Sequence, residues 1–199
     1  MESIQKDSST LVVALGGNLP RATGKSPAAP DCSATLVAAL DALVARGYRL
    51  RAVSRFFRSP AFPAGSGPDY VNACALLETT ETRPEAVLAA LHAVEAAHGR
   101  VRSTRWAARS LDLDLLDAGG RILPDAATHA RWRDLPLADQ KTRTPDRLIL
   151  PHPRLADRAF VLIPLADIAP NWRHPVSGKT VMQMLSTLPQ AEKAAIVPI

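Results

Sequence analysis

The spacing of apolar and polar positions changes along the chain in a way that separates strands from helices. Leu11-Val12-Val13-Ala14-Leu15 is continuously apolar, is bounded by Gly16-Gly17, and predicts a central strand buried on both faces. Pro20 to Pro30 is rich in Pro, Gly, Ala and Ser and predicts a loop. Leu36, Leu40, Leu43 and Val44 then follow helical spacing, with Asp31 or Ser33 placed to cap the start and Gly47 to follow the last turn. Tyr48 to Ser59 and Tyr70 to Thr79 predict two further strands, joined by a connection from Pro60 to Pro68 that is longer than a hairpin needs. Thr82-Arg83-Pro84-Glu85 has the form of a capping box, and Val87, Leu88, Leu91 and Val94 behind it predict a second helix ended by Gly99. From Ser110 onward apolar and acidic residues alternate, so a strand would place Leu111, Leu113 and Leu115 on one face and Asp112 and Asp114 on the other.

Strand, helix, strand, strand, helix, strand is the order of an α+β, ferredoxin-like βαββαβ sandwich, an antiparallel sheet with both helices on one face. That order makes the first strand and the acidic strand neighbours and leaves the second sheet face as the place for a site. Past Gly119-Gly120, residues Ile122 to Arg143 read as an insertion with a short helix near Asp125 to Arg133. Leu148 to Leu150 predicts a short strand stopped by Pro151-His152-Pro153. A helical or turn segment around Leu155 to Leu165 and a closing helix from Val181 to Leu188 form a C-terminal extension. The whole chain, 1–199, fits one domain.

Composition changes this picture only a little. Hydrophobic residues at 47% and charged residues at 22% are ordinary for a globular protein, and no apolar run is long enough to span a bilayer. Cys32 and Cys74 lack metal-type spacing, so free thiols in a reducing cytoplasm are expected. The net charge of +5 suits an anionic ligand, either nucleotide or nucleic acid.

The candidate chemistry sits on the acidic strand. Side chains two apart on a strand stand roughly 6.5–7 Å from each other, a spacing at which Asp112 and Asp114 suit hard divalent cations. Arg100, Arg102, Arg105 and Arg109 just upstream suit the polyanion that accompanies such metals. The bland alternative is a solvated strand face neutralised by arginines, against which stands the depletion of Asp in strands. Tyr70 and Asn72 point the same way from one strand, an aromatic plate beside an amide able to read a heterocycle edge, unless they are simply exposed. Gly178-Lys179-Thr180 is not a phosphate-binding P-loop, because the glycine needed five residues earlier is Arg173. No histidine spacing is of the zinc type, and His152 stands out only by its two flanking prolines.

Several blocks in order resemble one family. Gly17-Asn18-Leu19, Phe57-Arg58-Ser59-Pro60, Pro68-Asp69-Tyr70-Val71-Asn72-Ala73, Gly99-Arg100-Val101-Arg102, the run from Arg105 to Leu115, and Pro151-His152 with Arg158-Ala159-Phe160 are similar to the 6-hydroxymethyl-7,8-dihydropterin pyrophosphokinases of folate synthesis. The resemblance spans roughly Leu11 to Leu185, apart from the first loop and the insertion. It implies transfer of the pyrophosphoryl group of ATP, the co-substrate, to the pterin hydroxymethyl oxygen, leaving AMP, with two Mg2+ ions on Asp112 and Asp114. It implies Arg100 and Arg109 as catalytic grips on the triphosphate, with Arg102 and Trp106 on a closing loop. Ser59, Pro60, Phe62, Tyr70, Asn72, Trp106 and Phe160 would bind the pterin, and His92, Glu95, Ile149, His152 and Arg158 would line the nucleotide side. Ala107-Ala108, His92 and Pro153 depart from the family pattern, which has Gly-Pro, Gln and an aromatic there. The combined expectation is a monomeric cytoplasmic enzyme taking ATP and a dihydropterin, with no nucleic-acid or membrane partner. An RNA-recognition domain of the same element order is the rival, but it would show aromatics where this strand carries Asp112 and Asp114.

Overall fold

The apolar run at Leu11 becomes central because neighbours occupy both of its edges and both of its faces. The computed structural model describes residues 8–19, 32–61, 67–99, 109–136, 139 and 142–199. In it, β1 (Ser9–Gly17) pairs antiparallel with β4 (Tyr70–Thr79) on one side and with β5 (Asp112–Ala118) on the other. The far edge of β4 is shared in succession by β2 (Arg49–Val53) and β3 (Phe57–Ser59), and β6 (Val197–Pro198) adds to β3. This is the expected antiparallel ferredoxin-like sheet, with the first and acidic strands side by side.

The single strand expected from Tyr48 to Ser59 is divided. At Arg55 the backbone N–H leaves the ladder and donates to Asp167 Oδ2 at 2.9 Å, while the guanidinium grips the same carboxylate at 2.7 Å through Nη2.

One sheet face is the main core. Leu11, Val13 and Leu15 of β1, Ala73, Ala75 and Leu77 of β4, and Leu113 and Leu115 of β5 pack there. Against them lie Leu36, Leu40 and Leu43 of α1 (Cys32–Val44) and Val87, Leu91 and Val94 of α2 (Pro84–Ala97). Each such leucine contributes roughly 1.5–3 kcal/mol by burial. Val44 departs from its expected role, since the helix turns it outward to 47% exposure. The expected capping box does not form either. The N-cap is Arg83, because Pro84 occupies the first helical turn and needs no donor partner, and Glu81 Oε1 accepts the Arg83 N–H at 2.9 Å. Gly47 and Gly99 both take positive φ after their helices, as the sequence requires.

The second face is not open along its whole length. Val12, Cys74 and Leu116 pack beneath Leu155, then Val161, Leu162 and Leu165, and finally Val181 and Met184. These come from a 3-10 turn at Leu155–Asp157, from α4 (Ala159–Ile168) and from α5 (Val181–Thr187), numbering after α3 (Ala126–Arg133) in the insertion. The same alternation that supplies Val12, Cys74 and Leu116 at one end supplies Gly16, Asn72, Asp112 and Asp114 at the other, and the apolar cluster beneath the C-terminal extension stops short of the two aspartates, whose side chains stay 24% and 38% exposed. The extension also runs further than expected, through α6 (Gln190–Ala194) into β6. The short strand expected at Leu148–Leu150 reduces to one bridge, Leu150 opposite Leu123. Cys32 and Cys74 are both buried, and neither is in a disulfide.

Candidate active site

At this end of the sheet, strand register assembles one row that is open at Asp112 and buried at Asn72 and Phe57. Asp112 is opposite Gly16, Gly16 is opposite Asn72, and Asn72 is opposite Phe57, so four strands present these residues to the same face. Asp114 follows one pleat behind, beside Ala14. Gly16 forms the floor between the acid and the amide: a Cβ there would stand 3.2 Å from Asn72 Oδ1. Tyr70 stands one pleat further out and pairs with Ser59. Asn72 Nδ2–H donates to Ser59 Oγ at 2.8 Å, which orients the amide with its oxygen over the glycine floor.

Three connections converge on Asn18. Its backbone N–H and that of Leu19 donate to Arg109 O at 2.9 and 3.0 Å. Its side-chain oxygen accepts from Arg109 N at 2.8 Å, and its side-chain nitrogen donates to Pro68 O at 3.2 Å. This buried residue therefore holds Arg109 and the end of the β3–β4 connection together. In the sequence its signal is its place in a turn directly after a central strand, in Gly17-Asn18-Leu19.

Arg109 answers the acids. Its Nη1 donates to Asp112 Oδ2 at 2.6 Å. Burial alone would lower its pKa, but Asp112, Tyr70 and Asp114 hold it above the usual value. Arg158 approaches Asp114 at 3.9 Å and lies 5.6 Å from the centre of the Phe160 ring. Burial raises the pKa of the Tyr70 phenol, with Arg109 opposing and Asp112 adding to the rise. His152 belongs to the same neighbourhood. Burial, then Arg158 and Arg154, push its ring down to about 3 against the charge of Asp112. Its backbone N–H donates to Leu116 O at 2.8 Å, and its Nδ1 accepts from Arg154 N at 3.1 Å.

The structure thus brings Ser59, Tyr70, Asn72, Arg109, Asp112, Asp114, His152, Arg158 and Phe160 to one end of the sheet. Glu95 and Ile149 are buried instead, at 1% and 5% exposure. Glu95 Oε1 accepts the Leu113 N–H at 2.8 Å and so braces β5 between the two aspartates. His92 is half-buried on α2, and Pro60 is exposed just past β3. Phe62, Arg100, Arg102 and Trp106, together with Ala107-Ala108, lie outside the described residues.

The donor set fits magnesium. Among the described residues no group of three or more His, Cys, Asp or Glu stands together, but magnesium is commonly held by one or two carboxylates plus water and substrate phosphates. Asp112 and Asp114 offer that pair with side chains 24% and 38% exposed, open enough to exchange a guanidinium for a cation.

Histidine burial carries an acid-stability prediction. His174 is pushed down to about 4 and His152 to about 3, and His129 is lowered, in each case by burial first. The unfolded chain then binds more protons than the folded one below pH ~6.5, so stability is full above that pH and is lost as pH falls toward the folded values. The thermal midpoint should be flat from pH 9 to pH 7 and fall steadily from about pH 6.5 to 4. A His174→Phe variant should show a shallower fall, and an unchanged slope would remove His174 as a source of it.

The fold is that of an antiparallel ferredoxin-like α+β sandwich, with two carboxylates paired with arginines at one end of its sheet. Residues 12–170 match the family model described as 7,8-dihydro-6-hydroxymethylpterin-pyrophosphokinase (HPPK), and the chain belongs to that family. It is 37% identical over 188 residues to the 2-amino-4-hydroxy-6-hydroxymethyldihydropteridine pyrophosphokinase of Synechocystis sp., covering 94% of this chain and 79% of that one. It is also 37% identical over 177 residues to the protein of the same name from Pseudomonas aeruginosa, covering 89% and 90% of the two chains. Among solved structures, the HPPK-DHPS protein of Plasmodium falciparum shares the fold with a TM-score of 0.61 at 12% identity, and this chain, 92% covered, spans 45% of that larger one.

Proposed function

We propose that this chain transfers the pyrophosphoryl group of ATP to the hydroxymethyl oxygen of 6-hydroxymethyl-7,8-dihydropterin, releasing AMP, as a step of folate synthesis. The observation that carries the reading is the row Asp112–Gly16–Asn72–Phe57 with Arg109 at its acidic end, since it puts a heterocycle reader and a phosphate-and-cation reader on one face. Asp112 and Asp114 would hold two Mg2+ ions, which would supply charge neutralisation for the triphosphate. Arg109 and Arg158 would take the remaining phosphate charge, with Arg100 and Arg102 assigned to the same role. Tyr70 and Phe160 enclose the pterin ring, with Asn72 and Ser59 bonding its edge and Pro60, Phe62 and Trp106 completing its surround. His152 and Arg158 face the nucleotide, with His92, Glu95 and Ile149 behind them.

Such a transfer needs no covalent nucleophile from the protein; alignment and charge carry most of the rate. Burial, with Arg158 and Arg154 nearby, holds the His152 ring neutral in the unliganded chain, so it is available as a hydrogen-bonding group. No helix among the described residues is long and apolar enough to cross a membrane. The reading is of one pyrophosphokinase domain, monomeric and cytoplasmic, with 122–143 as an insertion and with ATP and a dihydropterin as its small-molecule substrates.

The deciding assay supplies ATP, Mg2+ and the hydroxymethyl dihydropterin and separates AMP from ADP. AMP formed in step with the pterin diphosphate is the expected result, and ADP would replace this reading with an ordinary kinase. Binding of each substrate alone checks the division of the site. Tyr70→Ala or Phe160→Ala should weaken the pterin about 10-fold or more, the scale of one lost ring stack, and leave the nucleotide nearly unchanged. Equal losses for both ligands would overturn the assignment of the aromatics.

A further inference from the structure

The insertion has no partner in the reaction described above, yet it docks against the turn that carries His152. Leu123 and Leu150 exchange backbone hydrogen bonds of 2.9 and 3.2 Å. The helix α3 follows, capped by Asp125, whose side chain accepts from Thr128 N at 2.8 Å. The only buried residue of that helix is His129, at 0% exposure.

His129 Nε2 lies 3.0 Å from Pro151 O. A carbonyl oxygen only accepts, so Nε2 carries the proton and Nδ1 is left as an acceptor. That Nδ1 is buried without a hydrogen-bond partner. The ring packs edge-on to His174 with centroids 6.1 Å apart, and His174 in turn packs against Trp172 at the same distance. An apolar side chain would fill such a place without leaving a polar atom unpaired. A histidine there makes sense for the one bond it does form.

The carbonyl of Pro151 and the N–H of His152 belong to a single peptide group. Its oxygen is held by His129 and its N–H by Leu116 O at 2.8 Å, on β5 two residues past Asp114. With both ends held, the plane of this peptide is fixed and with it the N–Cα bond of His152 from which the side chain departs, while the bond from Arg154 N to Nδ1 at 3.1 Å holds the ring from the other side.

We propose that His129 is a positioning residue for the nucleotide side of the site, setting the place of the His152 ring through the Pro151–His152 peptide. The inference rests on the reading of His152 as a nucleotide contact, and it gives the insertion a task in substrate affinity.

The test measures binding of Mg2+–α,β-methylene-ATP and, separately, of the pterin to four variants: His129→Phe, His129→Gln, His152→Ala and the His129→Phe/His152→Ala pair. His129→Phe keeps the volume and removes the donor, and should weaken the nucleotide about 10-fold, the scale of one lost hydrogen bond, with pterin affinity within twofold. His129→Gln keeps an N–H near the Nε2 position and should recover most of the loss. The double variant should be no weaker than His152→Ala alone, because a group acting through another adds nothing once that other is gone. Should His129→Phe fail to fold, His129→Leu, which withdraws the donor with a smaller apolar side chain, takes its place. A loss in His152→Ala with none in the His129 variants overturns this inference alone. No loss in His152→Ala overturns the nucleotide reading of His152 and this inference with it. Equal losses for pterin and nucleotide, or losses that simply add in the double variant, reduce His129 to general support of the fold and overturn it as well.

Discussion

Asp112→Ala and Asp114→Ala should each lower turnover by at least about 10³-fold, the scale of removing a charged group that stabilises the reacting phosphates. The thermal midpoint should meanwhile stay close to that of the parent chain. The two halves of this expectation come from the same geometry. Both side chains stand at one end of the sheet, 24% and 38% exposed, and neither belongs to either apolar cluster. Arg109 at 2.6 Å and Arg158 at 3.9 Å are among their partners, in part-exposed pairs that add modestly to stability. Removing one acid also relieves repulsion from the other. What is lost is therefore chemistry and not fold. Asp112→Asn is the sharper variant, since it keeps size and much of the hydrogen bonding while removing the charge. Near-normal turnover in any of these proteins would remove the metal assignment, and a collapse of the thermal midpoint would make the turnover loss uninformative about it.

The acidic strand was readable because its signal is local. Alternation from Leu111 to Leu115 fixes which face each residue takes, and the structure puts Leu111, Leu113 and Leu115 in the core and the aspartates on the other face. The element order was readable for the same reason, as each strand and helix carries its own period. What was hidden depends on pairing at long range. Nothing in Leu11-Val12-Val13-Ala14-Leu15 says that Val12 lies under a helix and Gly16 does not; that division follows only when Gly16 is matched with Asn72 and Asp112. The break at Arg55 needs Asp167, which is 112 positions away. Thr82 carries a correct capping pattern that Pro84 overrides by starting the helix one residue later. His129 has no pattern at all, since a single polar residue on a short charged helix reads as surface until the helix is docked.

Gly17→Ala should reduce turnover by about 10²-fold, as expected when a reacting constellation is displaced by about 1 Å, and should also destabilise the fold by about 1–3 kcal/mol. The glycine is needed for closeness, not for an unusual backbone angle. A Cβ at Gly17 would stand 2.6 Å from Ser110 O and 3.4 Å from Ser110 C, both backbone atoms that cannot swing aside as a side chain would. The turn or the start of the acidic segment must then move. The bonds that cross this contact are those from Asn18 N and Leu19 N to Arg109 O, together with the return bond from Arg109 N to Asn18 Oδ1. Separating these segments shifts Arg109 relative to Asp112, a pair whose 2.6 Å contact has no slack. Gly16→Ala is the internal control. Its Cβ would meet the end of the Asn72 side chain at 3.2 Å, so the neighbour can yield, and the penalty should fall on pterin affinity more than on turnover or stability. Turnover, pterin affinity and the thermal midpoint measured on both variants separate the two glycines. A Gly17→Ala protein with the parent's turnover would mean that the approach of this turn to Ser110 is not what places Arg109.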